Sequence, residues 1–151
     1  MVYTGSYALV LILHLLTVVF MVGPTAVASV ASARHARAGE TASLRTSMRT
    51  TRLYGVATVV TVVLGTALVG LGDVGEQWEF SQVWISASYL LWFVAVALTL
   101  AVVVPAQEAA VQALEKNQDA GSFASRISIG GGLVTLAYTV IIVLMVLKPG
   151  A

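Results

Sequence analysis

Four stretches of the chain, 7–33, 53–72, 83–104 and 127–147, contain no Asp, Glu, Lys or Arg, and polar clusters separate them. A helix needs about 20 mostly apolar residues to cross roughly 30 Å of hydrocarbon, and each stretch is long enough. Helices also close their own backbone hydrogen bonds, which the bilayer core demands. Val and Thr are frequent here and favour strands in water. A barrel strand, however, is about 10 residues of alternating polarity, and none of the four stretches alternates. The pattern therefore predicts an all-α membrane protein, a single four-span domain over 1–151 folded as an antiparallel four-helix transmembrane bundle, because short connectors place successive helices side by side. Segment 106–118 is rich in helix formers and should continue the third span, with Glu108 and Glu115 on its polar side and Asp119-Ala120-Gly121 as its stop.

Composition agrees with lipid as the solvent. The 151 residues are 58% hydrophobic and 10% charged, against about 25% charged in an ordinary soluble domain. This excludes a secreted enzyme, a nucleic-acid module and a disordered tail. With no Cys there is no disulfide framework, thiolate metal site or Cys nucleophile. Ala31-Ser32-Ala33 resembles a signal-peptide cleavage site, but the first basic residue, Arg34, follows the apolar stretch instead of preceding it.

Charge sets the expected orientation. Arg34, Arg37, Arg45, Arg49 and Arg52 lie between spans one and two, and Lys116 and Arg126 lie between spans three and four. Lys148 alone falls on the other side, with Asp73, Glu76 and Glu79. Basic loops stay in the cytoplasm, so a multi-pass protein of the cell (inner) membrane with both termini outside is expected. Tyr3, Tyr7, Trp78, Phe80 and Trp84 would mark the outer interface and Tyr54 the inner one.

Small residues let membrane helices approach closely. Ala57, Thr61, Gly65 and Gly72 form such a stripe in span two, and Gly131, Thr135 and Thr139 form one in span four. These faces pack either inside the bundle or between protomers of a homodimer or against a partner membrane protein. In span one, Tyr7, His14, Met21 and Ala28, with Thr17, Thr25 and Ser32, share a polar face. Leu9, Ile12, Leu16, Val19, Val27 and Val30 form an aliphatic face that should meet lipid. Gly23-Pro24 should kink this helix.

His14 is the one strongly ionisable side chain deep in a span, a functional-site candidate by that fact. Imidazole can ligate haem iron or another metal, or relay protons; the plainer role is a neutral hydrogen bond to a neighbouring helix. Met145, in the same leaflet, is the candidate second ligand of a haem b. His35 is about 30 Å away along the helix and cannot share that site. Arg45, Arg49 and Arg52 share a helical face suited to anionic lipid headgroups, although fixing topology is the simpler task for them. Phosphate-loop, zinc-protease and nucleophile-elbow motifs are missing, as are intramembrane carboxylates for ion-coupled transport. Nothing suggests nucleic-acid binding.

Leu13-His14-Leu15-Leu16 with Gly23, the basic first loop, Gly65-Thr66-Ala67-Leu68, Val104-Pro105-Ala106-Gln107 and the closing Leu144-Met145-Val146-Leu147-Lys148-Pro149 together resemble a family of small four-helix bacterial integral membrane proteins of unknown function. That family is distantly similar to the copper-resistance D domain and to membrane haem-synthesis oxidases, which also place a His on their first helix. The resemblance implies haem or metal handling with His14 as the matching residue. It does not extend to the oxidase Lys on a middle helix, since span three has none. The expected function is that of a non-enzymatic packing or accessory membrane protein; the alternative is a b-type haem or metal-binding redox protein using His14. Reporter tags fused at the two ends should both read out from the outer face; tags reporting from opposite compartments would contradict the four spans and their orientation.

Overall fold

In the computed structural model, residues 5–72 and 78–150 are described, and all the regular structure among them is helical. Tyr3, Asp73 and Glu76 lie outside the described residues. Four long helices cross the molecule: α1 Gly5–Ala38, α2 Thr41–Leu71, α3 Val83–Glu115 and α4 Gly121–Leu147. Each is long and apolar enough to span a bilayer. The helices run well past the charge-free stretches, so the arginines from Arg34 to Arg52 sit on helix and not in a loop. Only Gly39 and Glu40 separate α1 from α2. Gly39 takes the left-handed conformation at φ 70°, and Glu40 N–H donates back to the His35 carbonyl (3.0 Å), closing the helix end. His35 Nδ1 and Glu40 Oε2 clip the same turn at 2.8 Å, and that bond holds the Glu40 carboxyl below its ordinary range. α3 ends at Glu115, earlier than expected, where Asn117 turns left-handed at φ 54°.

The expected kink at Gly23-Pro24 takes the form of a π turn. Val18–Val22 widen so that Gly23 N–H reaches the Val18 carbonyl, one residue before the proline that cannot donate. The sequence hid a second case. Thr99–Val103 make the same turn in α3, with Val104 N–H on the Thr99 carbonyl and Pro105 next. The first helix of each hairpin therefore carries one π turn at the same distance from a proline.

Interior packing relies on small residues. A Cβ on Gly131 would meet the Ser29 carbonyl oxygen of α1 at 2.8 Å, and one on Gly130 would meet Val103 of α3 at 2.9 Å. The two neighbouring glycines thus seat α4 between α1 and α3. Gly55 of α2 lies against Thr99 in the same way, at 3.0 Å. At the end bearing the arginines, Ala33, Ala36, Leu44, Ala110, Ala124 and Ile127 form one apolar cluster; nearer mid-depth, Val22, Ala95, Val103, Val134 and Ala137 form another. The aliphatic face of α1 points outward, from Leu9 at 59% exposed to Val27 at 69%. A soluble monomer rarely shows such a continuous apolar surface.

Adding a Cβ where backbone already stands forces two helices apart. Gly131→Ala should lower stability in detergent by about 1–3 kcal/mol, while Gly132→Ala, which points into open space, should be neutral or slightly stabilising. Equal thermal-melting shifts for the two variants would contradict the α1–α4 contact.

Candidate functional site

The two halves of the bundle differ. Towards the end bearing the arginines, the second half of α1 packs on both α2 and α4, and the second half of α3 does likewise. Towards the chain-terminal end, the first half of α1 packs chiefly on α2 and the first half of α3 chiefly on α4. The two hairpins separate there and enclose a cavity of about 400 Å³, within the range of small-molecule sites.

His14 lines this cavity from α1. Its Nδ1 lies 2.9 Å from the Thr61 carbonyl oxygen of α2. A carbonyl can only accept, so Nδ1 carries the proton. In the neutral ring Nε2 is then a bare lone pair, and it has no hydrogen-bond partner among the described residues. Gly65, one turn along α2, makes room for the ring, since a Cβ there would sit 3.1 Å from His14 Cε1. Thr61 and Gly65 therefore serve the imidazole; Ala57 is only half-buried, at the edge of that face.

The opposite walls come from α3 and α4. Trp92 Nε1 donates to Thr58 Oγ1 at 3.1 Å, tying α3 to α2, and the Thr58 hydroxyl donates to the Gly55 carbonyl at 2.7 Å. Two polar atoms of further lining residues, Thr61 Oγ1 and Trp84 Nε1, are sealed inside the wall without a hydrogen-bond partner among the described residues. Met145 borders the same space from α4. An apolar chamber with an unpaired imidazole nitrogen on its wall has the general form of a ligand site. No group of three or more His, Cys, Asp or Glu gathers there or elsewhere among the described residues, so a metal would rest on His14 with non-carboxylate help.

A family model described as predicted integral membrane protein (DUF2269) matches residues 8–149. The chain belongs to that family. No curated protein and no solved structure matches it. The match to a membrane family over nearly the whole chain agrees with the four apolar helices of this DUF2269 protein.

At its other end the DUF2269 chain uses its charges internally. Arg45 pairs with Glu115, and Arg52 faces Glu108 at 3.7 Å, both between α2 and α3. Such exposed pairs contribute little individually, but they occupy two of the three arginines expected to meet headgroups. Arg49 has no carboxylate partner among the described residues. Beneath this surface Gln107 is fully buried and its Nε2 reaches Ser32 Oγ at 2.7 Å and Thr51 Oγ1 at 3.2 Å, joining α1, α2 and α3. Gln107 was named from sequence only within the Val104-Pro105-Ala106-Gln107 motif and given no role; an amide three residues past the end of an apolar span is the signal that pointed to it. Gly131 holds the α4 contact with Ser29, and Thr135 beside it is half-buried, its hydroxyl donating to the Gly131 carbonyl at 2.8 Å.

Because Gly65 and His14 share one space, their substitutions should couple. Gly65→Leu should displace the ring and cost about 1 kcal/mol for the lost hydrogen bond, beyond any change in helix propensity. In a His14→Ala background most of that cost should vanish, a coupling that a double-mutant cycle of detergent unfolding reads directly. Additive effects would separate Gly65 from the imidazole.

Proposed function

We propose that this DUF2269 protein sits in the cell membrane with both ends outside and holds a b-type haem in the cavity between its hairpins, with His14 Nε2 as axial ligand. The observation that carries this reading is the His14–Thr61 hydrogen bond. Metal-ligating histidines characteristically donate their other ring nitrogen to a carbonyl or carboxylate, which fixes the tautomer and the ring plane. Here the Thr61 carbonyl takes the Nδ1 proton and leaves Nε2 free on a wall of an apolar chamber. A haem bound there supplies one-electron redox chemistry. The chain's own residues do the rest. The Met145 thioether borders the same chamber as a second soft donor. Trp92 bonded to Thr58 ties the two hairpins together across the chamber. The apolar walls limit access of water to the ligand.

Two further points support the reading. In the sequence reading, the residue that matches the suspected distant relatives, the copper-resistance D domain and the haem-synthesis oxidases, is His14. The small-residue contacts of Gly131 on Ser29 and Gly55 on Thr99 are made inside the bundle, so these two glycines are not available to a partner helix. The concentration of arginines at one end supports placing that end in the cytoplasm. There Arg49 contacts anionic headgroups at about 1 kcal/mol, with Arg45 and Arg52 held back by their glutamates.

Titrating the purified protein with hemin in detergent should give a Soret band distinct from that of free hemin. His14→Ala should abolish it while keeping the helical circular dichroism of the parent. A protein that leaves the hemin spectrum unchanged, or a band that survives in His14→Ala, would overturn the reading.

A further inference from the structure

Lys148 follows the last residue of α4, in a left-handed conformation at φ 42°. Its Nζ lies 4.0 Å from the centroid of the Trp78 ring and 6.0 Å from that of Trp84. The two indoles meet edge to face with centroids 5.4 Å apart. All three side chains line the cavity that holds His14 and Met145. A lysine at a helix end in lipid would ordinarily extend into the headgroup region, but stacking over two indoles keeps this ammonium at the rim of the chamber. No carboxylate among the described residues pairs with it. The second observation is independent of the lysine. Trp84 is only 5% exposed and its Nε1 is buried without an acceptor, a state that costs free energy until an acceptor arrives.

We infer that the rim of the cavity is a carboxylate site, where Lys148, seated over the Trp78 and Trp84 rings, receives the acidic edge of the bound ligand and a small shift of Trp84 would open its sealed indole N–H to the same group. The argument is one of complementarity. The cation has no carboxylate partner among the described residues and the sealed indole donor belongs to a neighbouring residue of the same chamber, so an acceptor complements both. In surroundings of low dielectric constant a negatively charged acceptor gains most from both. The inference deepens the haem reading and rests on the cavity being a ligand site. A haem carries its two carboxylates on one edge of an otherwise apolar plane. Lys148 would hold the acid edge and His14 the metal, so these two residues would give the ring one orientation in the cavity they both line. The same residues therefore select acidic porphyrins over their neutral esters.

The test uses the full chain in detergent micelles and three probes: hemin, hemin dimethyl ester and iron-free protoporphyrin IX. Binding is read from the Soret region and from quenching of tryptophan fluorescence. Lys148→Met should weaken hemin and protoporphyrin IX by about tenfold or more, as expected for loss of one charge-assisted hydrogen bond. It should leave the ester within about twofold, and Lys148→Arg should restore most of the acid affinity. Equal losses for acid and ester would reduce Lys148 to a structural prop and overturn the inference, as would no loss at all. A Soret band that depends on His14 but is indifferent to Lys148 overturns the carboxylate site and leaves the haem reading standing. Lys148-dependent binding of protoporphyrin IX without a His14-dependent hemin spectrum does the reverse. Failure of all three probes to bind overturns both.

Discussion

Hydrocarbon offers no hydrogen bonds, so a polar atom inside the membrane costs free energy unless it finds a partner within the chain or in a bound ligand. Short side chains manage this on their own helix. Thr25 donates to the Met21 carbonyl (2.8 Å), Ser29 to Thr25 (2.6 Å), Ser88 to Trp84 (2.6 Å) and Thr99 to Ala95 (2.7 Å). Satisfied in this way, they remain small and let helices come close. His14 and Gln107 are too long for that solution and reach across. The first bonds α1 to the Thr61 carbonyl in the half that opens, and the second joins α1, α2 and α3 in the half that is closed. These two bridges fix α1 against α2 at two depths. They also divide the molecule into a packed half and a half with a chamber.

The π turns lie at that division. Val18–Val22 separates the part of α1 that packs chiefly on α2 from the part that packs on both α2 and α4. Thr99–Val103 separates the part of α3 that packs chiefly on α4 from the part that packs on both α2 and α4. An extra residue in one turn rotates everything beyond it around the helix axis, so a single helix can present different faces above and below. The prolines at Pro24 and Pro105 supply the local reason, since neither can donate the next ladder hydrogen bond.

Much of α1 was legible because its two faces differ in chemistry: the positions from Leu9 to Val30 read as aliphatic are exposed, while Tyr7, Thr25, Ala28 and Ser32 are buried. On α2 the stripe was read at a spacing of four, which creeps around a helix of 3.6 residues per turn. Of that stripe Thr61 is buried and Gly65 is half-buried against His14, while the rest of the buried face follows Leu44, Thr51 and Thr58, seven apart, with Gly55 and Leu68 beside it. Nothing in the first half of α3 marked a face, because it is apolar on all sides; Trp84 was expected at the outer interface and Trp92 was given no role, although both line the cavity. The charge pairing was within reach. Arg45 and Arg52 are seven residues apart, Glu108 and Glu115 are too, and antiparallel helices match the first of one pair with the last of the other. Reading the arginines as topology markers or headgroup contacts concealed it.

The account turns on the protonation of one ring. Nitrogen-15 NMR of histidine-labelled protein in lipid bilayers, with His35→Gln to remove the second signal, measures it directly. The account predicts a neutral His14 with Nδ1 protonated and Nε2 bare, held by the Thr61 carbonyl. A ring protonated at Nε2 alone would contradict it, since that tautomer cannot make the bond to Thr61 and has no lone pair to offer a metal at Nε2.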